Sequence, residues 1–147
     1  MTTQSNQVAF RVLGDRQIDA DHQEFALLIA QLVEASDAQI EAALAQLRAH
    51  AAKHFAQEDA ELRALGGSAN ECHLDEHQSV LTSIAEVAEL LRTGKLEIAR
   101  TLGQELAHWL PNHIEEMDLR LTQALFKRRT GGAEIQIFKP GQLLHQE

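Results

Sequence analysis

The sequence predicts an all-α fold: an up-down-up-down antiparallel four-helix bundle with an N-terminal arm and a short C-terminal tail. Three observations predict it. The 147 residues are rich in Leu and Ala and hold 8 Gly, 2 Pro and no Tyr, which favours long helices over strands and turns. Apolar residues recur at steps of three and four through four long stretches, the period of a helix that buries one face. The breaks between those stretches are a few residues each, as expected of antiparallel neighbours. With 44% hydrophobic residues, the chain has enough apolar side chains for one buried core and one domain.

Residues 1–17 read as an arm, because Val8, Phe10 and Val12 alternate with other residues as in an extended chain laying one edge on a surface. The bundle is expected over 18–130. Its first helix starts near Asp19, read as the N-cap, and ends near Ala35, with Ile18, His22, Phe25, Ile29 and Leu32 inward. The second runs from about Ala38 to Leu65 with an inward row of Ile40, Leu44, Leu47, Ala51, His54, Glu58 and Leu62, and Gly66-Gly67 stops it. The third, from about Asn70 to Arg92, repeats the pattern with His73, His77, Val80, Ile84, Val87 and Leu91 before Gly94. The fourth spans about Lys95 to Lys127, with His113 and Asp118 on adjacent inward rows and a kink expected one turn before that pair, because Pro111 lacks a backbone donor and crowds the Ala107 carbonyl. Residues 131–147 form the tail, a candidate docking element for another subunit or a protein partner.

Thirteen basic against 22 acidic residues give a net charge of -9, which repels a nucleic-acid backbone and anionic membrane surfaces alike. The first residues lack a signal-peptide pattern and no apolar run reaches the roughly 20 residues of a membrane span, so a cytoplasmic location is expected. The single Cys72 cannot close an internal disulfide. Although it neighbours His73, adjacent helical residues point about 100° apart, and Cys72 is expected to face away from the inward row.

Chemistry concentrates in His22, His54-x3-Glu58, His73-x3-His77 and His113-x4-Asp118, ligand types carried by four helical segments. Residues four apart share a helix face, so His54 with Glu58 and His73 with His77 each form a two-point set aimed at the bundle axis. A single histidine of this kind is more simply an ordinary core or surface residue. Seven ionisable groups on inward rows are not, because each buried unpaired charge costs several kcal/mol in a domain stable by only about 5 to 15. A shared cation resolves the conflict. Imidazole and carboxylate donors without thiolate suit iron, manganese or zinc, and the two carboxylates suggest two ions bridged by Glu58 and Asp118. The one Glu-x-x-His motif, Glu105-x-x-His108, falls on the outward face, which disfavours a ferritin-like di-iron site, and a zinc-peptidase His-Glu-x-x-His run is missing.

The order of these pairs resembles the bacterial hemerythrins, and so do the words around them: ID-x2-H at Ile18–His22, HF-x2-ED at His54–Asp59, H-x2-EH at His73–His77 and WL-x2-HI at Trp109–Ile114. The resemblance covers about residues 14–126. It implies two non-heme iron ions joined by Glu58, Asp118 and a solvent-derived oxo or hydroxo bridge, one ion on His73, His77 and His113 and the other on His22 and His54. The second ion would keep a free position for dioxygen, bound reversibly without net catalysis, as in an oxygen carrier, store or delivery protein. An oxygen or redox sensor, a di-iron oxidase or peroxidase, and a nitric oxide reductase are the alternatives on the same site. The resemblance also maps an oxygen pocket onto Phe55, Trp109, Leu110 and Ile114, each of which is otherwise plain core. His50 stands where the family usually has Tyr, and is expected as a partly buried, hydrogen-bonded histidine or a group tuning the pocket; the usual N-terminal aromatic is replaced by Phe10 or by nothing, and His108 and His145 are expected in solvent.

Overall fold

The computed structural model describes residues 8–131. Helix α1 spans Arg16–Glu34, α2 Ile40–Leu65, α3 Ser68–Arg92 and α4 Leu96–His113; a π-helical segment, Ile114–Asp118, joins α4 to α5, Leu119–Arg129. The last three form one rod, so the predicted four-helix antiparallel bundle is the observed fold. Contacts run from α1 to α2, α2 to α3, α3 to α4 and α4 back to α1, closing a ring around one core.

Helix α1 begins three residues before the expected start, because Asp15 and not Asp19 is its N-cap. The Asp15 carboxylate accepts the Gln17 and Ile18 amides at 3.1 Å each. Asp19, within the first turn, instead accepts the Leu13 and Gly14 amides at 2.8 and 2.9 Å and so ties the arm to the helix. The arm departs from strict alternation: Val8 and Phe10 rest on the core, but Val12 faces solvent and Leu13 is buried in its place. At the α2–α3 turn Gly66 and Gly67 have φ of 70° and 97°, the left-handed region that a Cβ disfavours.

One half of the bundle is filled by aliphatic side chains, among them Leu32, Ile40, Leu47, Ile84 and Ala99. There α1 and α4 approach so closely that a Cβ on Gly103 would lie 2.8 Å from Val33 Cγ2. Arg100 closes this end, its Nε and Nη2 donating to the Ala35 carbonyl at the end of α1.

Helix α4 runs through Pro111 without a break, and the irregularity expected there lies at the ligand pair itself, in the π turn. The Leu119 amide reaches back to the Ile114 carbonyl, the i to i+5 bond of a π-helix. No described helix is long and apolar enough to cross a membrane. Of the expected tail, 132–147, with His145, lies outside the described residues.

Candidate metal centre

All seven predicted ligands are buried and converge where α1 begins, α2 ends, α3 begins and the π turn passes. Helical spacing explains His54 with Glu58 and His73 with His77. His113 and Asp118 are five apart, about 140° around an ordinary α-helix. The π turn sets one above the other, bringing Asp118 Oδ1 to 3.2 Å from His113 Nε2. This corrects the expectation of adjacent rows.

The donors divide into two groups. His73, His77 and His113 gather their Nε2 atoms, with His113 Nε2 at 3.2 Å from each of the other two. Glu58 Oε1 stands 3.3 Å from His77 Nε2, and Asp118 Oδ1 2.9 Å from His73 Nε2. The other oxygen of each carboxylate turns to the remaining histidines: Glu58 Oε2 is 3.1 Å from His54 Nε2 and Asp118 Oδ2 is 2.8 Å from His22 Nε2. Two sets able to hold a metal ion result, one of Glu58, His73, His77, His113 and Asp118 and one of His22, His54 and Glu58.

These close approaches are not a satisfied hydrogen-bond network. Both oxygens of Glu58, both of Asp118 and both ring nitrogens of His22 are buried without an aligned partner. Native interiors seldom leave such groups unpaired, since each costs about 1–3 kcal/mol or more. Lone pairs facing one another across about 3 Å fit cations between them, and the oxygen and imidazole donors fit iron.

Electrostatics agree. Burial pushes the Asp118 carboxyl upward, but the nearby His113, His22 and His73 outweigh it and hold it well below the usual carboxylate range. Burial and the Asp118 charge likewise raise Glu58, and His54 and His77 bring it below its ordinary value. Burial lowers His54 and His113, yet Glu58 for the first and Asp118 for the second raise both above 6.5.

Outside the ligands stand carboxylates that the sequence reading did not assign. Asp59 takes the outer His77 Nδ1 at 2.7 Å, and Glu76 takes His113 Nδ1 at 2.8 Å together with the Trp109 indole N–H at 2.9 Å. Each fixes the tautomer that aims the inner nitrogen's lone pair at the centre. Asp21 lies 3.4 Å from His54 Nδ1. All three directly neighbour a ligand in sequence, at Glu58, His77 and His22, which is the signal that could have found them.

The sequence model of the hemerythrin HHE cation binding domain matches residues 13–125. The chain belongs to the hemerythrin family. It is also 35% identical over 116 residues, 79% of this chain and 85% of the relative, to a bacteriohemerythrin of Ralstonia nicotianae. No solved structure matches it significantly. The family implies non-heme di-iron binding, and each of the two donor groups here could hold a metal ion.

In this hemerythrin domain two of the four expected pocket residues, Phe55 and Trp109, lie against the histidines. Phe55 stacks on His77 at a centroid distance of 4.1 Å, and Trp109 stacks on His113 at 4.4 Å. Leu110 and Ile114 are buried in the main core. Phe25 joins them, edge-on to His54 at 6.0 Å. Phe10 stands edge-on to His22 at 6.1 Å, so the arm does bring an aromatic to the site. His50 is half-buried, bonds the Asp21 carbonyl at 3.0 Å and stacks on His54. Cys72, Glu105 and His108 face outward as expected.

Proposed function

We propose that this chain holds two iron ions, one on His73, His77 and His113 and the other on His22 and His54, with Glu58 and Asp118 shared, and that it binds dioxygen reversibly. The observation that carries the reading is the division of the carboxylates. Each turns one oxygen to the three-histidine group and one to the two-histidine group. If both carboxylates were shared, the ion on His22 and His54 would have one protein donor fewer than the ion on His73, His77 and His113, which would leave room for a small exogenous ligand. When bound, the two ferrous ions supply the two electrons with which such a pair holds dioxygen.

The chain's own residues do the rest. Asp59 and Glu76 hold His77 and His113 in orientation. Phe25, Phe55, Leu110 and Ile114 are buried and Trp109 partly so, an apolar surround that would keep bulk water from the site. This reading takes the site to bind its ligand without net turnover, in keeping with the similarity to a bacteriohemerythrin.

The test is spectroscopic. Metal analysis should find about two iron ions per chain. Loaded and reduced protein should gain visible charge-transfer bands in oxygen and lose them under inert gas over repeated cycles; irreversible conversion to a diferric form would overturn the carrier reading in favour of a sensor or an oxidase. His77→Ala and Glu58→Ala should abolish the bands, and His108→Ala should leave them intact.

A further inference from the structure

Among the described residues, two clefts have a predicted ligand in their walls. The one between α3 and α4 touches the metal centre at His113, whose outer nitrogen and ring face are already taken by Glu76 and Trp109. The other, a cavity of about 410 Å3 bounded by α1, α2 and α5, has Glu58 itself in its wall. Glu58 is only 4% exposed, and neither carboxylate oxygen has a hydrogen-bond partner.

The rest of that wall is charged. Asp15, Asp21 and Glu61 join Glu58, against Arg128 and Arg129. Arg128 pairs with Glu61 and Arg129 with Asp15. Asp21 and Glu58 have no arginine or lysine against them among the described ion pairs, and Asp21 sits 3.4 Å from the outer nitrogen of His54. A concave, low-dielectric wall with excess negative charge focuses its field and concentrates cations. A neutral diatomic gas gains nothing from such a lining.

We propose that this cavity is the mouth through which divalent metal ions reach the centre. Asp21 and Glu61 draw the hydrated cation in, Glu58 takes it over beside His54, and the Arg128–Glu61 and Arg129–Asp15 pairs restrain its entry. The proposal rests on the chain's holding metal at the seven ligands. It assigns Glu61, Arg128 and Asp21 a kinetic role that the filled site does not need.

The experiment mixes metal-free protein with Fe2+ under anaerobic conditions and follows the fluorescence of Trp109, the chain's single Trp, which lies against His113 and should be quenched as the site fills. Glu61→Gln should slow uptake roughly 3- to 10-fold and Arg128→Gln should speed it by a similar factor, both effects shrinking as salt is raised. Glu105→Gln, the same change of charge in the other cleft, should leave the rate unchanged. The Glu61–Arg128 pair is about half exposed, so the variants should keep the fold. Equal rates in parent, Glu61→Gln and Arg128→Gln would overturn the mouth while leaving the di-iron reading intact. So would equal slowing by Glu61→Gln and Glu105→Gln, or slowing by both Glu61→Gln and Arg128→Gln. A parent protein that takes up no iron at equilibrium would overturn both.

Discussion

The inward rows of the bundle carry aliphatic side chains in one half and ionisable ones in the other. Leu32, Leu47 and Ile84 have no exposed surface and sit in the hydrophobic core. Around His22, Glu58 and Asp118 the same helices bury carboxylates and imidazoles whose polar atoms lack aligned partners. Burial therefore means opposite things in the two halves. In the first it removes apolar area from water at about 25 cal/mol per Å2 and stabilises the fold. In the second it desolvates charge, a cost that protons on the histidines offset in the metal-free protein and that bound cations would offset in their place. The apolar half makes the bundle, and the ligand half uses that stability to hold a site ready.

The largest expected effect breaks the apolar half. Leu47→Ala removes a side chain with no exposed surface and should cost about 2–5 kcal/mol in denaturant unfolding of the metal-free protein, with the iron content of the loaded protein unchanged. Loss of iron at native conditions would show that the two halves are not separable.

Next comes a change confined to the support of the ligand half. Glu76→Gln removes the charge that holds both His113 and Trp109 while keeping size. Metal affinity, measured by competition with a chelator, should fall by about 10- to 100-fold, with little change in metal-free stability. Trp109 fluorescence should shift as its indole partner loses charge. An unchanged affinity would reduce Glu76 to a surface carboxylate.

The two halves also differed in how far the sequence disclosed them. The apolar half follows from periodicity alone, since burying one helix face needs only steps of three and four. In the ligand half the i, i+4 pairs were equally plain. The His113–Asp118 pair was not, because five residues match no face of an α-helix, and the π turn that aligns them is specified by packing against the other helices. That mismatch was itself a signal: a ligand pair at i, i+5 inside a long helical pattern asks for a non-α turn. Pro111 drew the expected irregularity one turn too early, since a proline needs a gap in the bonding only at its own position. Val12 and Asp19 were misread for a related reason. Their roles depend on where the arm meets α1, a tertiary contact that alternation does not encode. Asp59 and Glu76 were hidden as ordinary helix-surface acids until the facing helix brought a histidine nitrogen to each.

The smallest expected effect is on pH dependence, and it separates the halves because only one of them titrates. The apolar half does not titrate. In the metal-free ligand half His54 and His113 lie above their ordinary 6.5, so their contribution is fully present below about pH 6.5 and is lost as pH rises through the raised values. Glu58 and Asp118, held low, contribute above their ordinary 4.5 and 3.8 and lose that contribution as pH falls through the lowered values. His50, lowered by burial and then by the His54 charge, opposes folding only below about 6.5, where it must charge. Metal-free stability should therefore decline as pH rises above 6.5. Metal-loaded protein should show the reverse over the same range, because cations replace those protons and bind more tightly as the imidazoles deprotonate. Thermal unfolding of both forms at a series of pH values above 6.5 checks it. Parallel slopes would mean that protons and metal ions do not compete for the same nitrogens, and the ligand half would then be a buried ion-pair network instead of a metal site.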